Sequence, residues 1–284
     1  MNAERKTTLN QQTHGSIPDD AYLLIIGAMK CGTTSLFSYL SVHPQICPAS
    51  VKEPEFFSNH QRHKKPFRHY HDVWPNFDGS VHRYAMEAST GYTKYPWESG
   101  VPEKIRDYGI KPKFIYLMRN PFDRIESHFN FNYGKKGWKF DICDNHLISI
   151  SNYYLQLERY RRLFSVRDML LLDFDELSRD PAGVLVRVYR FLGLDPFPPA
   201  NYGIKNPTLG LPWYVRKTIY RLSPYYPDFL KGLSKNLLVR LVQKRKRRVL
   251  SAEERQYIRE QLKDDMLRLK AAYGVPVQKW GFTG

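Results

Sequence analysis

The chain has 284 residues, of which 42% are hydrophobic, enough to fill one large α/β core or two small ones, so a fibrous or wholly disordered protein is excluded. Its 44 Lys and Arg against 28 Asp and Glu give a net charge of +16, which favours an anionic ligand, an anionic macromolecule or a membrane surface as partner. Three cysteines (Cys31, Cys47, Cys143) in no CxxC spacing suggest neither a disulfide framework nor a zinc site, and a reducing compartment fits best.

Residues 1–20 are polar, carry no apolar periodicity and read as a disordered tail, with one domain expected over residues 21–284. The apolar run at residues 21–29 is far shorter than the roughly 20 residues of a membrane span. It follows Asp19 and Asp20 rather than a basic stretch, so no signal peptide and no transmembrane segment are expected.

Residues 22–26 read as a fully buried strand, and residues 33–42 as a helix stopped by His43-Pro44. Residues 113–118 and 169–174 are further continuous apolar runs, the mark of strands covered on both faces. Pro121 opens one helix, and Pro181 opens another that closes at Gly193 with Val184, Leu185, Val188, Phe191 and Leu192 on one face. Ser251 and Glu254 form a capping box for a last helix, with Ile258, Leu262, Met266 and Leu269 at helical spacing up to Gly274. Alternating strands and helices predict an α/β protein, a three-layer P-loop-like fold with a central, mainly parallel β-sheet flanked by helices. The Pro-, Tyr- and Gly-rich stretch 196–227 reads as irregular structure over the ligand. The basic run 244–248 reads as a solvated helix end, with polyanion docking as the alternative.

The chemistry-bearing motif is the stretch Gly27-Ala28-Met29-Lys30-Cys31-Gly32-Thr33-Thr34-Ser35, where a buried strand meets a helix start. Backbone N–H groups and the positive dipole end of the helix converge there on one point, which suits a phosphate. Gly27 and Gly32 have P-loop spacing, but an ATP or GTP loop carries its lysine directly after the second glycine, and here Thr33 occupies that place while Lys30 comes two residues earlier. The second long strand runs into Arg119 rather than a magnesium-binding aspartate, so a cation meets a phosphate directly. Ser127 lies about two helical turns beyond Arg119, within reach of the same anionic group.

At these residues the sequence resembles the PAPS-dependent sulfotransferase superfamily (PAPS is 3′-phosphoadenosine 5′-phosphosulfate), closest to its bacterial and heparan-sulfate-type branch. The resemblance runs from about Tyr22 to the region of Trp280. It is carried by the Lys30-Cys31-Gly32-Thr33-Thr34 loop and by the segment from Arg119-Asn120-Pro121 to Ser127. It implies that Lys30, Cys31, Gly32, Thr33, Thr34 and Ser35 hold the 5′-phosphosulfate end, that Arg119 and Ser127 hold the 3′-phosphate, and that adenosine 3′,5′-bisphosphate is the nucleotide product with no metal required. Lys205 stands where relatives place a second phosphate-contacting loop.

The acceptor's proton needs a base beside the sulfonate. Lys52-Glu53-Pro54-Glu55-Phe56-Phe57 resembles the segment of the heparan-type branch in which a glutamate three residues before a double phenylalanine is the base, which is Glu53. Glu55 and Ser58 depart from the histidine and aspartate that some members carry there. Glu55 and Glu87, the latter in a segment resembling one that lines the acceptor site, are candidate acceptor contacts, and His128 is an alternative base. The resemblance implies an enzyme that sulfates a hydroxyl or amine of a carbohydrate or small molecule, with no nucleic acid as partner, and the expected lack of an N-terminal span points to a soluble, cytoplasmic, bacterial-type one. The competing readings are a P-loop kinase or NTPase and a non-catalytic polyanion binder.

Overall fold

A computed structural model describes residues 17–59, 67–133, 135, 137–202 and 247–283. Five parallel strands, β1 (Tyr22–Gly27), β2 (Ile46–Pro48), β3 (Tyr84–Ala88), β4 (Lys113–Met118) and β5 (Met169–Asp173), form one sheet in the order β2-β3-β1-β4-β5. Every residue of β1 and β3 is buried, so the continuous apolar run at β1 does mark a strand covered on both faces, whereas β5, at the sheet edge, is only half-buried. On β1, Leu24 is in register with Glu87 of β3 and Phe114 of β4.

The helices are α1 (Thr33–Leu40), α2 (Val101–Tyr108), α3 (Pro121–Asn132), α4 (Asn145–Ser149), α5 (Tyr153–Arg161), α6 (Phe174–Arg179), α7 (Pro181–Leu192) and α8 (Ala252–Tyr273). The expected α/β architecture is therefore present. Ser251 and Glu254 cap α8 reciprocally, and Ile258, Leu262, Met266 and Leu269 are its buried residues. From the same helix Asp265 accepts the amides of Tyr154 (3.0 Å) and Leu155 (2.9 Å), capping α5. Burial pushes that carboxyl up to about 6 against the pull of the two amides.

Several boundaries differ from the sequence reading. α1 stops at Leu40, where the Ser41 hydroxyl bonds the Phe37 carbonyl at 2.6 Å. β5 stops at Asp173, because that carboxylate accepts the amides of Asp175 (2.6 Å) and Glu176 (3.2 Å) and so turns Phe174 into the first residue of α6. On α7 Tyr189 rather than Phe191 joins the buried stripe. Ile17 packs in the core and the Asp19 carbonyl accepts the Lys111 amide at 2.7 Å, so ordered chain starts ahead of residue 21. Of the basic run, Arg248 is tied to Asn130 of α3 through both main-chain groups and pairs with Glu254.

Candidate active site

The loop after β1 is shaped by two glycines that no other residue could replace without displacement. Gly27 (φ +149°) leaves room for Thr93, whose hydroxyl donates to the Ile26 carbonyl at 2.7 Å and which a Cβ would strike. Gly32 (φ +88°) is the N-cap of α1, and a Cβ there would lie 2.8 Å from the Phe174 ring. Because Gly32 has no side chain to fold back, the first amides of α1 have no side-chain cap, which is the arrangement an anion completes. Between the glycines Ala28 donates to the Leu117 carbonyl at 2.7 Å, pinning the loop to β4. Lys30 (φ +72°) carries its ammonium 4.1 Å from the centre of the Phe131 ring. Phe131 lies one helical turn beyond Ser127 on α3, so the loop lysine reaches the same stretch of helix as Ser127.

Arg119 leaves the end of β4 just before Asn120, whose side chain accepts the Phe122 amide at 3.0 Å and starts α3. The Arg119 guanidinium stacks 4.5 Å from the Phe174 ring centre and approaches Asp123 at 3.9 Å. Its Nε is buried with no hydrogen-bond partner among the described residues, a donor that an anion would satisfy. Phe174 thus abuts both Gly32 and Arg119, one from each motif that the sequence reading singled out. Tyr153 joins them a second time: its hydroxyl donates to the Arg119 carbonyl at 2.7 Å and lies 4.0 Å from Cys31 Sγ. Cys31 is fully buried and burial pushes its thiol up to about 11, so the side chain packs beneath the loop and any contribution to an anion comes from its backbone.

Glu53 is partly exposed, pairs with Lys52 at 3.0 Å and receives the Thr90 hydroxyl at 3.5 Å. Glu55 and Glu87, expected to touch an acceptor, lie instead inside the fold. Glu55 accepts the Gly91 amide (2.9 Å) and the Ser58 hydroxyl (2.5 Å). Glu87 accepts the hydroxyls of Tyr70 (2.7 Å), Tyr92 (2.7 Å) and Ser89 (2.5 Å). His128 does not suit the base role it was considered for. It is buried, and its Nδ1 faces Arg124 Nη1 at 3.3 Å; a guanidinium only donates, so Nδ1 accepts and the proton sits on Nε2. Burial, then the Arg124 charge, hold its pKa well below the usual imidazole range, leaving a neutral ring whose lone pair is already used. Arg124 itself is fully buried, donating to Ser151 Oγ at 2.6 Å and to the Leu147 carbonyl. Lys205 lies outside the described residues.

Sequence reasoning passed over Phe174, Phe131, Tyr153 and Ser89. Phe131 and Tyr153 look like ordinary core aromatics, and only the contacts reveal their place. For Arg124 and His128 a signal existed, their i, i+4 spacing on one helix.

A family model for the sulfotransferase domain matches residues 20–199. The chain belongs to the sulfotransferase domain family. Membership of the sulfotransferase superfamily that the sequence resembles is borne out. Human heparan sulfate glucosamine 3-O-sulfotransferase 3B1 is 30% identical over 204 residues, covering 66% of this chain and 50% of that protein. Mouse bifunctional heparan sulfate N-deacetylase/N-sulfotransferase 4 is 27% identical over 197 residues, covering 61% and 22%. The chain thus spans about half, or less, of the length of these curated sulfotransferase relatives. The crystal structure of a sulfotransferase from Alicyclobacillus acidocaldarius has the same fold, with a TM-score of 0.66 at 21% identity over 92% of this chain and 98% of that one. Among the described residues no helix is long and apolar enough to cross a membrane, and no group of three or more His, Cys, Asp and Glu is placed to hold a metal ion.

Proposed function

We propose that the protein transfers a sulfuryl group from PAPS to a hydroxyl, or an amine, of a carbohydrate or small-molecule acceptor. The observation that carries this reading is the pair of anion-binding motifs meeting at Phe174: the uncapped start of α1 on one side, and Arg119 with its orphaned buried Nε on the other. Two such grips suit a nucleotide with well-separated anionic groups. The amides and hydroxyls of Gly32, Thr33, Thr34 and Ser35 would hold its 5′ end, and Arg119 with Ser127 its 3′-phosphate.

PAPS supplies an activated sulfuryl group whose departure builds negative charge on the bridging oxygen. Lys30, the lysine of that loop, would stabilise this charge more in the transition state than in the ground state. Glu53, the most accessible of the three carboxylates in its neighbourhood, would take the acceptor's proton. The relatives' names speak of heparan sulfate, which supports a carbohydrate acceptor without fixing one.

The test is transfer from labelled PAPS to a panel of glycosides, alcohols, phenols and amines, with Lys30→Ala and Glu53→Gln beside wild type. Transfer slowed at least about 100-fold in both variants, with adenosine 3′,5′-bisphosphate still bound by Glu53→Gln in calorimetry, is the expected result. Equal affinity of that nucleotide for wild type and Arg119→Ala would sink the site assignment.

A further inference from the structure

The segment that carries Glu53 has no regular secondary structure, and Glu53 (φ +58°) and Glu55 (φ +53°) both occupy left-handed backbone that a non-glycine residue keeps only when its surroundings hold it there. Lys104 of α2 donates to the Phe57 carbonyl at 3.2 Å, and the amides of the segment are held by the end of β3 and the 3₁₀ turn Thr90–Thr93 that follows. The Glu55 amide donates to Ser89 Oγ at 2.9 Å, and the Phe57 amide donates to the Tyr92 hydroxyl at 3.4 Å. Each of those hydroxyls in turn donates to the Glu87 carboxylate, Ser89 at 2.5 Å and Tyr92 at 2.7 Å.

A hydroxyl has a single proton. Because Glu87 takes that proton from both Ser89 and Tyr92, their oxygens can only accept towards the chain, which suits an arriving N–H donor. Alternate amides of the Glu53 segment, at Glu55 and Phe57, are the groups that arrive. The Glu55 side chain then reaches over to the Gly91 amide at 2.9 Å, which only a glycine permits, since a Cβ at position 91 would collide with the Glu55 carboxylate.

We propose that Glu87 is a positioning residue for the base: through Ser89 and Tyr92 it fixes the left-handed backbone at residues 53–57 and so the placement of the Glu53 carboxylate. This rests on the proposed role of Glu53. Glu87 touches no reacting atom and acts only through the two hydroxyls. A misplacement of about 1 Å at a catalytic group can cost on the order of 100-fold in rate, so loss of one relay is visible in turnover.

The experiment is a double-mutant cycle on the full chain, with transfer from labelled PAPS to the best acceptor of the panel as readout and Ser89→Ala and Glu53→Gln as the two changes. Ser89→Ala is expected to lower kcat at least about tenfold while leaving the calorimetric affinity for adenosine 3′,5′-bisphosphate within about twofold. In the Glu53→Gln background the same change is expected to cost less than about twofold, because there is no base left to misplace. Tyr92→Phe removes the other relay and carries the same expectations, so the inference stays testable where Ser89→Ala fails to fold. An equal loss in both backgrounds, or a parallel loss of nucleotide affinity, overturns the inference by showing a general structural role. Full turnover in Ser89→Ala and Tyr92→Phe, with Glu53→Gln slowed at least about 100-fold, overturns it and leaves the base in place. Full turnover in Glu53→Gln overturns both.

Discussion

The Tyr153 hydroxyl donates to the main-chain oxygen of Arg119 at 2.7 Å. That phenol is fully buried, and burial raises its pKa well above the usual range, so it remains a donor at any working pH. It sets where Arg119 leaves β4. Tyr153→Phe keeps the ring and removes the bond, so calorimetry should show adenosine 3′,5′-bisphosphate binding weakened roughly three- to tenfold, and urea unfolding a loss of about 1 kcal/mol. Unchanged affinity would mean that Arg119 is placed by α3 alone.

Phe174 is the platform under Arg119 and the lid on Gly32. Phe174→Leu keeps apolar volume but loses the aromatic face, a contact worth about 0.5–2 kcal/mol, so nucleotide affinity should fall by roughly 2- to 30-fold. Arg119→Lys should not match the wild type either, because a lysine cannot stack its charge flat on the ring or present a planar fork to a phosphate. Wild-type affinity in both variants would deny the ring its part in the site.

Gly91 is needed for the space beside its Cα. In Gly91→Ala the new methyl displaces the Glu55 carboxylate from the Gly91 amide and crowds Ser58. Leaving a buried carboxylate short of a donor should lower the unfolding free energy by about 1–3 kcal/mol, measured by urea denaturation. A variant as stable as wild type would show that the turn relaxes freely.

Glu87 makes stability and turnover respond to pH in opposite senses. Burial pushes its carboxyl from 4.5 up to about 7, against the hydroxyls of Ser89, Tyr70 and Tyr92, which favour the anion; Glu55 and Tyr160 also face it. A carboxyl raised by folding favours the folded state while it is protonated, so its contribution is complete below 4.5 and is lost as pH rises to about 7. The difference in urea stability between wild type and Glu87→Gln should fall by roughly 3 kcal/mol across that window. Asp265 is raised too, but it is common to both proteins and cancels in the difference. Turnover should rise over the same window, because only the anion accepts from all three hydroxyls. A flat stability difference between pH 4.5 and 7 would show that Glu87 stays in one protonation state.

Much of the frame was legible because burial on both faces writes itself as continuous apolar sequence, as at Leu23-Leu24-Ile25-Ile26 and Phe114-Ile115-Tyr116-Leu117. β3 escaped that reading because Glu87 interrupts its apolar run, and only three hydroxyls from residues 70, 89 and 92 make a buried carboxylate tolerable there. Pattern likewise carried β5 one residue too far, since the capping role of Asp173 is a local hydrogen bond that hydrophobicity does not record. At the site, spacing marked Lys30, Arg119 and Ser127, because glycine positions and strand ends are sequence features. The interior placement of Glu55 and the proton on His128 Nε2 depend on partners elsewhere in the fold, Gly91 for one and Arg124 for the other.

The strand order places β1 between β3 and β4, and the two neighbours deliver different kinds of residue. From the β4 side come Arg119 and α3, the proposed nucleotide grip; from the β3 side come Ser89, Gly91 and Tyr92, which shape the Glu53 segment. In the proposed reaction, donor recognition and acceptor chemistry thereby fall on opposite flanks of a single strand, each with its own hydrogen bonds. Such a layout is evolvable by halves. A library confined to residues 49–58 and 89–93 would explore new acceptors while Arg119, Ser127 and the α1 amides stay as they are.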